Sequence, residues 1–167
     1  AFRLSEHWAI PFILRLTTRV CHSHAIVLPS EPVLQGMAGG FVRTPAQRVM
    51  VPGHARPAHR LLREKLSKIR RWSEGLDEDQ DGEAGPNLII AGQDSRLGII
   101  TSGVSYLHVR EAAPQAAVFK VGMPHPLATA SLLAFIKAHE RCLVVEENDP
   151  YLVEQIRAAG GDVPFNP

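Results

Sequence analysis

Strands that alternate with helices through the second half of this chain predict an α/β fold built on a mostly parallel sheet with one antiparallel edge strand. Three observations carry the prediction. Gly98-Ile-Ile-Thr-Ser-Gly-Val-Ser-Tyr-Leu-His-Val-Arg-Glu111 reads as a strand, a tight turn and a helix start. Its β-branched residues favour extended structure, Ser102 suits a helix N-cap, and Gly103 supplies free backbone geometry. Arg141-Cys-Leu-Val-Val-Glu-Glu147 gives a second buried strand, followed by Asn148-Asp149-Pro150 as cap and first helical position and by a helix from Tyr151 to Ala159. Asn87–Ala91 and Leu97–Thr101, joined through Gln93-Asp94-Ser95, read as a hairpin and hence as the antiparallel edge.

The other elements follow in order. Ala1-Phe-Arg-Leu-Ser-Glu-His7 reads as the end of an amphipathic helix leading into a strand over Pro11–Leu16, so the chain reads as a segment of a longer one. A polar stretch, Thr17 to His24, and a short apolar piece, Ala25–Leu28, come next. Pro29 to Pro57 holds five prolines and four glycines with little periodicity, which predicts a long connection. Ala58 to Trp72 is predicted as a helix, because Ala58, Leu61, Leu62, Leu66, Ile69 and Trp72 recur at three- and four-residue spacing. Glu74 to Glu83 carries six acids and no Lys or Arg, and with Gly85-Pro86 it reads as a solvated surface loop. A strand over Ala116–Val121 and a helix over Leu127–His139, started by Pro126, complete the pattern. Gly160-Gly161 closes the last helix and leads toward another strand.

At 167 residues and 45% hydrophobic content the chain can bury a core. A net charge of +1 gives no global argument for nucleic acid or an anionic membrane. No apolar run reaches the roughly 18 residues of a membrane span, and no signal peptide opens the sequence, so a cytoplasmic location is expected. Cys21 and Cys142 lie far apart and form no CxxC pair, which argues against a disulfide framework or a metal cluster within this stretch.

Five passages, in order, resemble the alpha subunits of indolepyruvate:ferredoxin oxidoreductases, a thiamine-diphosphate family of the 2-oxoacid:ferredoxin oxidoreductase superfamily. They are Leu4-Ser-Glu6 before a Pro-led strand, Leu14-Arg-Leu-Thr-Thr-Arg-Val-Cys-His-Ser23, Gly98-Ile-Ile-Thr-Ser-Gly-Val-Ser-Tyr106, Lys120-Val-Gly-Met-Pro-His-Pro-Leu127 and Leu143-Val-Val-Glu-Glu-Asn-Asp-Pro150. The resemblance implies that residues 1–28 are the tail of a pyrimidine-type thiamine-binding domain. Residues 29–86 would be a linker with one amphipathic helix over 58–72, and residues 87–167 a transketolase C-terminal-like domain, a three-layer α/β/α sandwich. It further implies a parent enzyme that converts arylpyruvates such as indolepyruvate to aryl-acetyl-CoA and carbon dioxide, with electrons passing to ferredoxin. Thiamine diphosphate, magnesium and iron–sulfur clusters belong to that parent, and this segment alone is expected to bind none of them and to be inactive. Implied partners are the remaining domains, a partner subunit, ferredoxin and coenzyme A, with a homodimer open; nucleic acid and membrane are not expected.

Candidate site residues lie in the polar stretch. Thr17, Thr18, Arg19 and His22 fall just past a predicted buried strand, where open α/β sheets place ligands. Arg19 is the first choice to hold a substrate carboxylate, with the hydroxyls on a carbonyl or the cofactor; a polar loop packing on a neighbouring domain is the structural alternative. Cys21, His22 and His24 invite a metal, yet adjacent residues of an extended segment point to alternate faces, and none is assigned. Ser102-Gly103 could offer free amides to an anion, or simply cap a helix. Glu146 and Glu147 are adjacent and face opposite sides, so neither is assigned catalysis. The basic face from Arg56 to Arg71 is expected to be solvated or interdomain rather than bound to nucleic acid. No catalytic residue is assigned, and cofactor-binding residues stay unassigned. A reading from another class also stands, a stand-alone α/β ligand-binding or regulatory module that takes an anion at the Ser102-Gly103 helix start.

Overall fold

A computed structural model describes residues 1–29, 40, 42–76 and 85–164, which divide by their contacts into two units, Ala1–Arg60 and Leu61–Pro167. In the first unit α1 (Phe2–Trp8) forms where a helix end was expected, and Ala9 closes it in the left-handed region at φ 45°. Ser5 ties the exit of the helix by donating its hydroxyl to Ile10 O at 2.9 Å. Two single turns follow, α2 (Thr18–Cys21) and α3 (Pro45–Arg48). No described residue of this unit is buried.

The strand expected over Pro11–Leu16 is not formed: the backbone there has no ladder, and Ile13 and Leu14 are 93% and 71% exposed. A strand is satisfied only by a neighbour that takes up its N–H and C=O groups and covers one face. None of the described residues pairs with it. The connection expected over Pro29–Pro57 lies partly outside the described residues, at 30–39 and 41. Its described part contains α3 and the first turns of α4 (Pro52–Ser73), a helix of 22 residues that starts six residues before the predicted Ala58 and carries Pro57 inside it. Val51 O accepts the first helical N–H groups, from His54 at 2.9 Å and Ala55 at 2.8 Å. Pro57 lies within the first two turns, so it deprives the helix of only one early hydrogen bond. The acidic loop lies mostly at 77–84, outside the described residues.

In the second unit, β1 (Leu88–Ile90), β2 (Asp94–Ser102), β3 (Ala116–Val121) and β4 (Arg141–Val145) form a sheet in the order β1-β3-β2-β4. β2 runs parallel to both β3 and β4, and β1 is antiparallel to β3. The α/β class with one antiparallel edge therefore holds. The hairpin does not, since β1 pairs with β3 rather than with β2. Gly92 explains the crossing: a Cβ there would collide with the backbone of Gln115 to Ala117, and Gln93 N donates to Gln115 O at 2.9 Å, so the connection is laced across the start of β3.

The register puts Ile90, Val118, Ile99 and Leu143 on one face, and Ile89, Phe119, Ile100 and Val144 on the other. On the first face α5 (Ser105–Ala112) brings Tyr106 and Val109 against Ile99 and Val118. On the second, α6 (Thr129–Lys137) and α7 (Tyr151–Ala158) bring Leu132, Phe135, Leu152, Val153 and Ile156 against Ile100, Phe119 and Cys142. Helices on both faces make the three-layer α/β/α arrangement. Phe119 and Phe135 meet edge to face, with ring centroids 5.6 Å apart, at the centre of that second layer.

Helix starts depart from the local reading. Ser102 ends β2 instead of capping, Gly103 takes φ 56°, and α5 begins at Ser105 with no side-chain cap. Pro126 follows a cis bond from His125 and does not start α6, which begins at Thr129 and receives its cap from elsewhere, Glu74 Oε1 accepting from Ala130 N at 3.0 Å. Residues 161–164 form no strand, and 165–167 lie outside the described residues.

Candidate functional site

The residues singled out for substrate sit on one helical turn. Thr17 takes extended backbone at the N-cap position of α2, with its carbonyl accepting from Cys21 N at 3.1 Å, and Thr18 O accepts from His22 N at 3.1 Å. Ser23 closes the turn by donating to Val20 O at 2.7 Å. Thr18 and His22, four residues apart, share a face, and Arg19 follows one step round the helix. Thr18, Arg19 and His22 are exposed and Thr17 is half-buried. The structure thus gathers the four on one short segment, while the buried strand that was to present them is absent.

Cys21 is exposed and His24 lies beyond the turn, also exposed. Among the described residues no group of three or more His, Cys, Asp or Glu could hold a metal ion. An iron–sulfur cluster takes about four thiolates, and this chain has two cysteines. Its residues therefore do not fit such a cluster. Cys142 is buried on β4, where desolvation raises its thiol pKa, opposed by a backbone hydrogen bond from Gly98.

The carboxyl edge of the sheet in the second unit is held by side-chain hydrogen bonds. Glu146 accepts Leu152 N at 2.7 Å and Val153 N at 3.1 Å, so its carboxylate caps α7 and neutralises the positive end of the helix. Both of its oxygens are engaged structurally. Glu147 points to solvent, and Asn148 turns the chain at φ 63°. Two neighbours on the α5 face were not anticipated: Thr101, fully buried with no partner for its Oγ1 among the described residues, and Lys120, its register partner, whose Nζ lies 4.8 Å from the centroid of the Tyr106 ring. Their pairing depends on strand register, which no short-range pattern displays.

Asn87 also escaped the sequence reading. It donates from Nδ2 to Ser73 O at 2.6 Å and accepts Gly122 N at Oδ1 at 2.9 Å, joining the end of α4 to the loop after β3. Gly122 lies so close to Pro86 O that a Cβ would collide with it. Tyr151 reaches the same loop, donating its hydroxyl to Pro124 O at 3.3 Å. No helix is long and apolar enough to cross a membrane among the described residues.

No protein-family model matches the chain. It is similar to curated proteins described as indolepyruvate oxidoreductase subunit IorA. The protein from Methanothermobacter thermautotrophicus is 32% identical over 96% of this chain, that from Thermococcus kodakarensis 35% over 94%, and that from Pyrococcus abyssi 33% over 99%. The chain spans about a quarter of the length of these relatives: 26%, 25% and 26% respectively. A solved 2-oxoglutarate:ferredoxin oxidoreductase from Magnetococcus marinus is also similar, at 18% identity and a TM-score of 0.44, over 66% of this chain and 19% of that one. The resemblance drawn from the five sequence passages is borne out by the IorA matches.

Proposed function

We propose that this chain, kin to subunit IorA along nearly its whole length, is an architectural stretch of an indolepyruvate:ferredoxin oxidoreductase. The observation that carries the reading is sequence identity of 32 to 35% maintained over 94 to 99% of the chain. In this reading the whole enzyme oxidatively decarboxylates an arylpyruvate to aryl-acetyl-CoA and delivers two electrons to ferredoxin in the cytoplasm. Residues 1–28 belong to the edge of a thiamine-binding domain, 29–86 link it onward, and 87–167 form the transketolase C-terminal-like domain. The α/β/α layers dock the remaining domains and the partner subunit, and a homodimer is the simplest assembly.

Thiamine diphosphate supplies carbanion stabilisation when bound by the whole enzyme. This chain's own task toward substrate falls to Arg19, whose planar guanidinium can hold the arylpyruvate carboxylate in two parallel hydrogen bonds. Thr17, Thr18 and His22, on the same turn, contact the neighbouring carbonyl or the cofactor. Support comes from the exposure of Thr18, Arg19 and His22 and from their gathering on α2.

Reduction of a viologen dye by the anaerobically purified full-length enzyme, with coenzyme A, thiamine diphosphate and indolepyruvate, tests both parts. Dependence on cofactor and arylpyruvate is expected, with Arg19→Ala raising KM by about tenfold or more, the equivalent of one charge-assisted hydrogen bond of about 1.5–3 kcal/mol. A cluster-loaded, cofactor-saturated enzyme without activity would refute the function; normal KM in Arg19→Ala would refute the role of α2 alone.

A further inference from the structure

We propose that the crevice between the carboxyl ends of β2 and β3 is a phosphate-binding site, built from Lys120, the first amides of α5 and the buried hydroxyl of Thr101. Topology sets the place. β2 and β3 are parallel neighbours, yet the chain leaves β2 for α5 on one face of the sheet and leaves β3 for α6 on the other. Adjacent strands whose connections part in this way open a gap at their carboxyl ends, and open α/β sheets place ligands in such gaps. Nothing in this site depends on α2 or on the activity proposed above.

Lys120, next to last in β3, is half-buried, and its Nζ lies 4.8 Å from the centroid of the Tyr106 ring. No carboxylate pairs with it among the described residues. An ammonium partly withdrawn from water, with a ring in place of a counter-ion, still calls for an anion. The start of α5 supplies neutral donors beside it. Gly103 takes φ 56° with nothing within 4 Å of its Cβ position, Val104 follows in the right-handed region at φ −69°, and no side chain caps the helix. Leu107 N turns back to Val104 O at 3.0 Å, while the N–H groups of Ser105 and Tyr106 in the first turn have no carbonyl four residues back within the helix. Consecutive left- and right-handed residues aim successive N–H groups at one point, and the helix adds its positive end. Thr101 is the independent sign of a ligand. It is 0% exposed, stands on the α5 face opposite Lys120 in the ladder, and its Oγ1 has no partner among the described residues. A hydroxyl buried alone is costly, and a phosphate oxygen in the crevice gives it an acceptor, directly or through one water. Lys120 and Tyr106, both half-buried, form the open rim. An ammonium, several amides and a hydroxyl offer more donors than the two oxygens of a carboxylate use well, and suit the three acceptor oxygens of a phosphate group.

The test is amide hydrogen exchange read by mass spectrometry on the full-length enzyme, with thiamine diphosphate at saturation so that its own phosphate contacts are already filled. Inorganic phosphate and methyl phosphate are compared with chloride at the same ionic strength. Phosphate should slow exchange in peptides spanning residues 101–107 by about tenfold, and whichever of the two probes acts at lower concentration tells a free ion from a phosphomonoester. Lys120→Met should raise the phosphate concentration at half effect by about tenfold, whereas Lys120→Arg, which keeps the charge, should leave it within about twofold. Thr101→Val should raise the urea midpoint in chloride, because a lone buried hydroxyl is removed, and should also raise the phosphate concentration at half effect by about threefold or more. Absence of protection in the wild type, equal protection by chloride or by acetate, or an unaltered response in Lys120→Met would each overturn the proposal. So would a phosphate response untouched by Thr101→Val, which decides the matter by itself if Lys120→Met does not fold. None of these readouts needs turnover, so a wild-type enzyme that fails to reduce viologen would refute the proposed function and leave this site standing.

Discussion

Ala1–Arg60 and Leu61–Pro167 are built from equally apolar strand-forming text, yet among the described residues only the second has a core. Cys-Leu-Val-Val at 142–145 and Phe-Ile-Leu at 12–14 carry comparable β-propensity. The first lies against β2 with its N–H and C=O groups paired. The second finds no strand among the described residues, and Ile13 stays 93% exposed. Strand propensity is thus a readiness for a neighbour. Where sequence brings the neighbour, as β2 does for both β3 and β4, the sheet forms; elsewhere the same residue types form no strand and stay exposed.

The largest expected contrast between the two regions is in thiol reactivity. Cys21 is exposed, and Cys142 is buried with its pKa raised by desolvation. A buried thiol reacts only when the domain opens, so with a stability of at least ~4–5 kcal/mol its labelling should be about a thousandfold slower than that of Cys21. Timed alkylation read by mass spectrometry checks this, and similar rates would mean that the sheet unit is not closed in solution. The sign with pH follows from the direction of the shift. The folded thiol holds its proton above the usual value of 9.0, so this contribution to stability is present below pH 9 and declines as pH rises past it.

Next in size is the core itself. Phe119 is 1% exposed and meets Phe135 edge to face. Phe119→Ala should cost about 3–5 kcal/mol through lost burial and the cavity left behind, seen as a lower urea midpoint with little change in slope. Gly122→Ala should come next, at about 1–3 kcal/mol, because the new methyl collides with Pro86 O and moves the loop after β3. Asn87→Ala removes both hydrogen bonds that join Ser73 O and Gly122 N, and about 1–2 kcal/mol is expected from the two groups left short of a partner. If Asn87→Ala were neutral, the end of α4 would be held without this bridge, by the packing of Ile69 and Trp72 and by the contacts of Glu74 with Ala130 and Ser131.

Legibility in the sequence follows the same division. The bounds of β3, Ala116–Val121, and the arrival of a helix after each parallel strand could be read directly, because periodicity and turn residues are local signals. Partners could not. Glu146 read as one of two adjacent carboxylates facing opposite sides and is the cap of α7 six residues on; Glu74 read as the start of a solvated loop and caps α6 at Ala130. The pairing of β1 with β3 rather than β2 rests on the close backbone approach at Gly92, legible only once the strand order is known. Of the candidate site, the grouping of Thr17, Thr18, Arg19 and His22 was legible as adjacency. The buried strand expected before them is not formed, because a strand's burial depends on residues outside its own text.

The smallest effect is the sharpest test of the comparison. Ile13 and Ile100 are the same residue type in apolar, β-prone surroundings, 93% and 0% exposed. Ile13→Ala should leave stability to urea within about 0.5 kcal/mol, as for surface sites in general, whereas Ile100→Ala should cost about 2–5 kcal/mol. In the full-length enzyme proposed above the contrast becomes diagnostic. If residues 11–16 there gain the strand neighbour that their composition is ready for, Ile13→Ala should destabilise the whole enzyme by an amount approaching that of Ile100→Ala. A neutral result in both settings would show that this segment stays unpaired, and that its apolar residues serve a surface rather than a sheet.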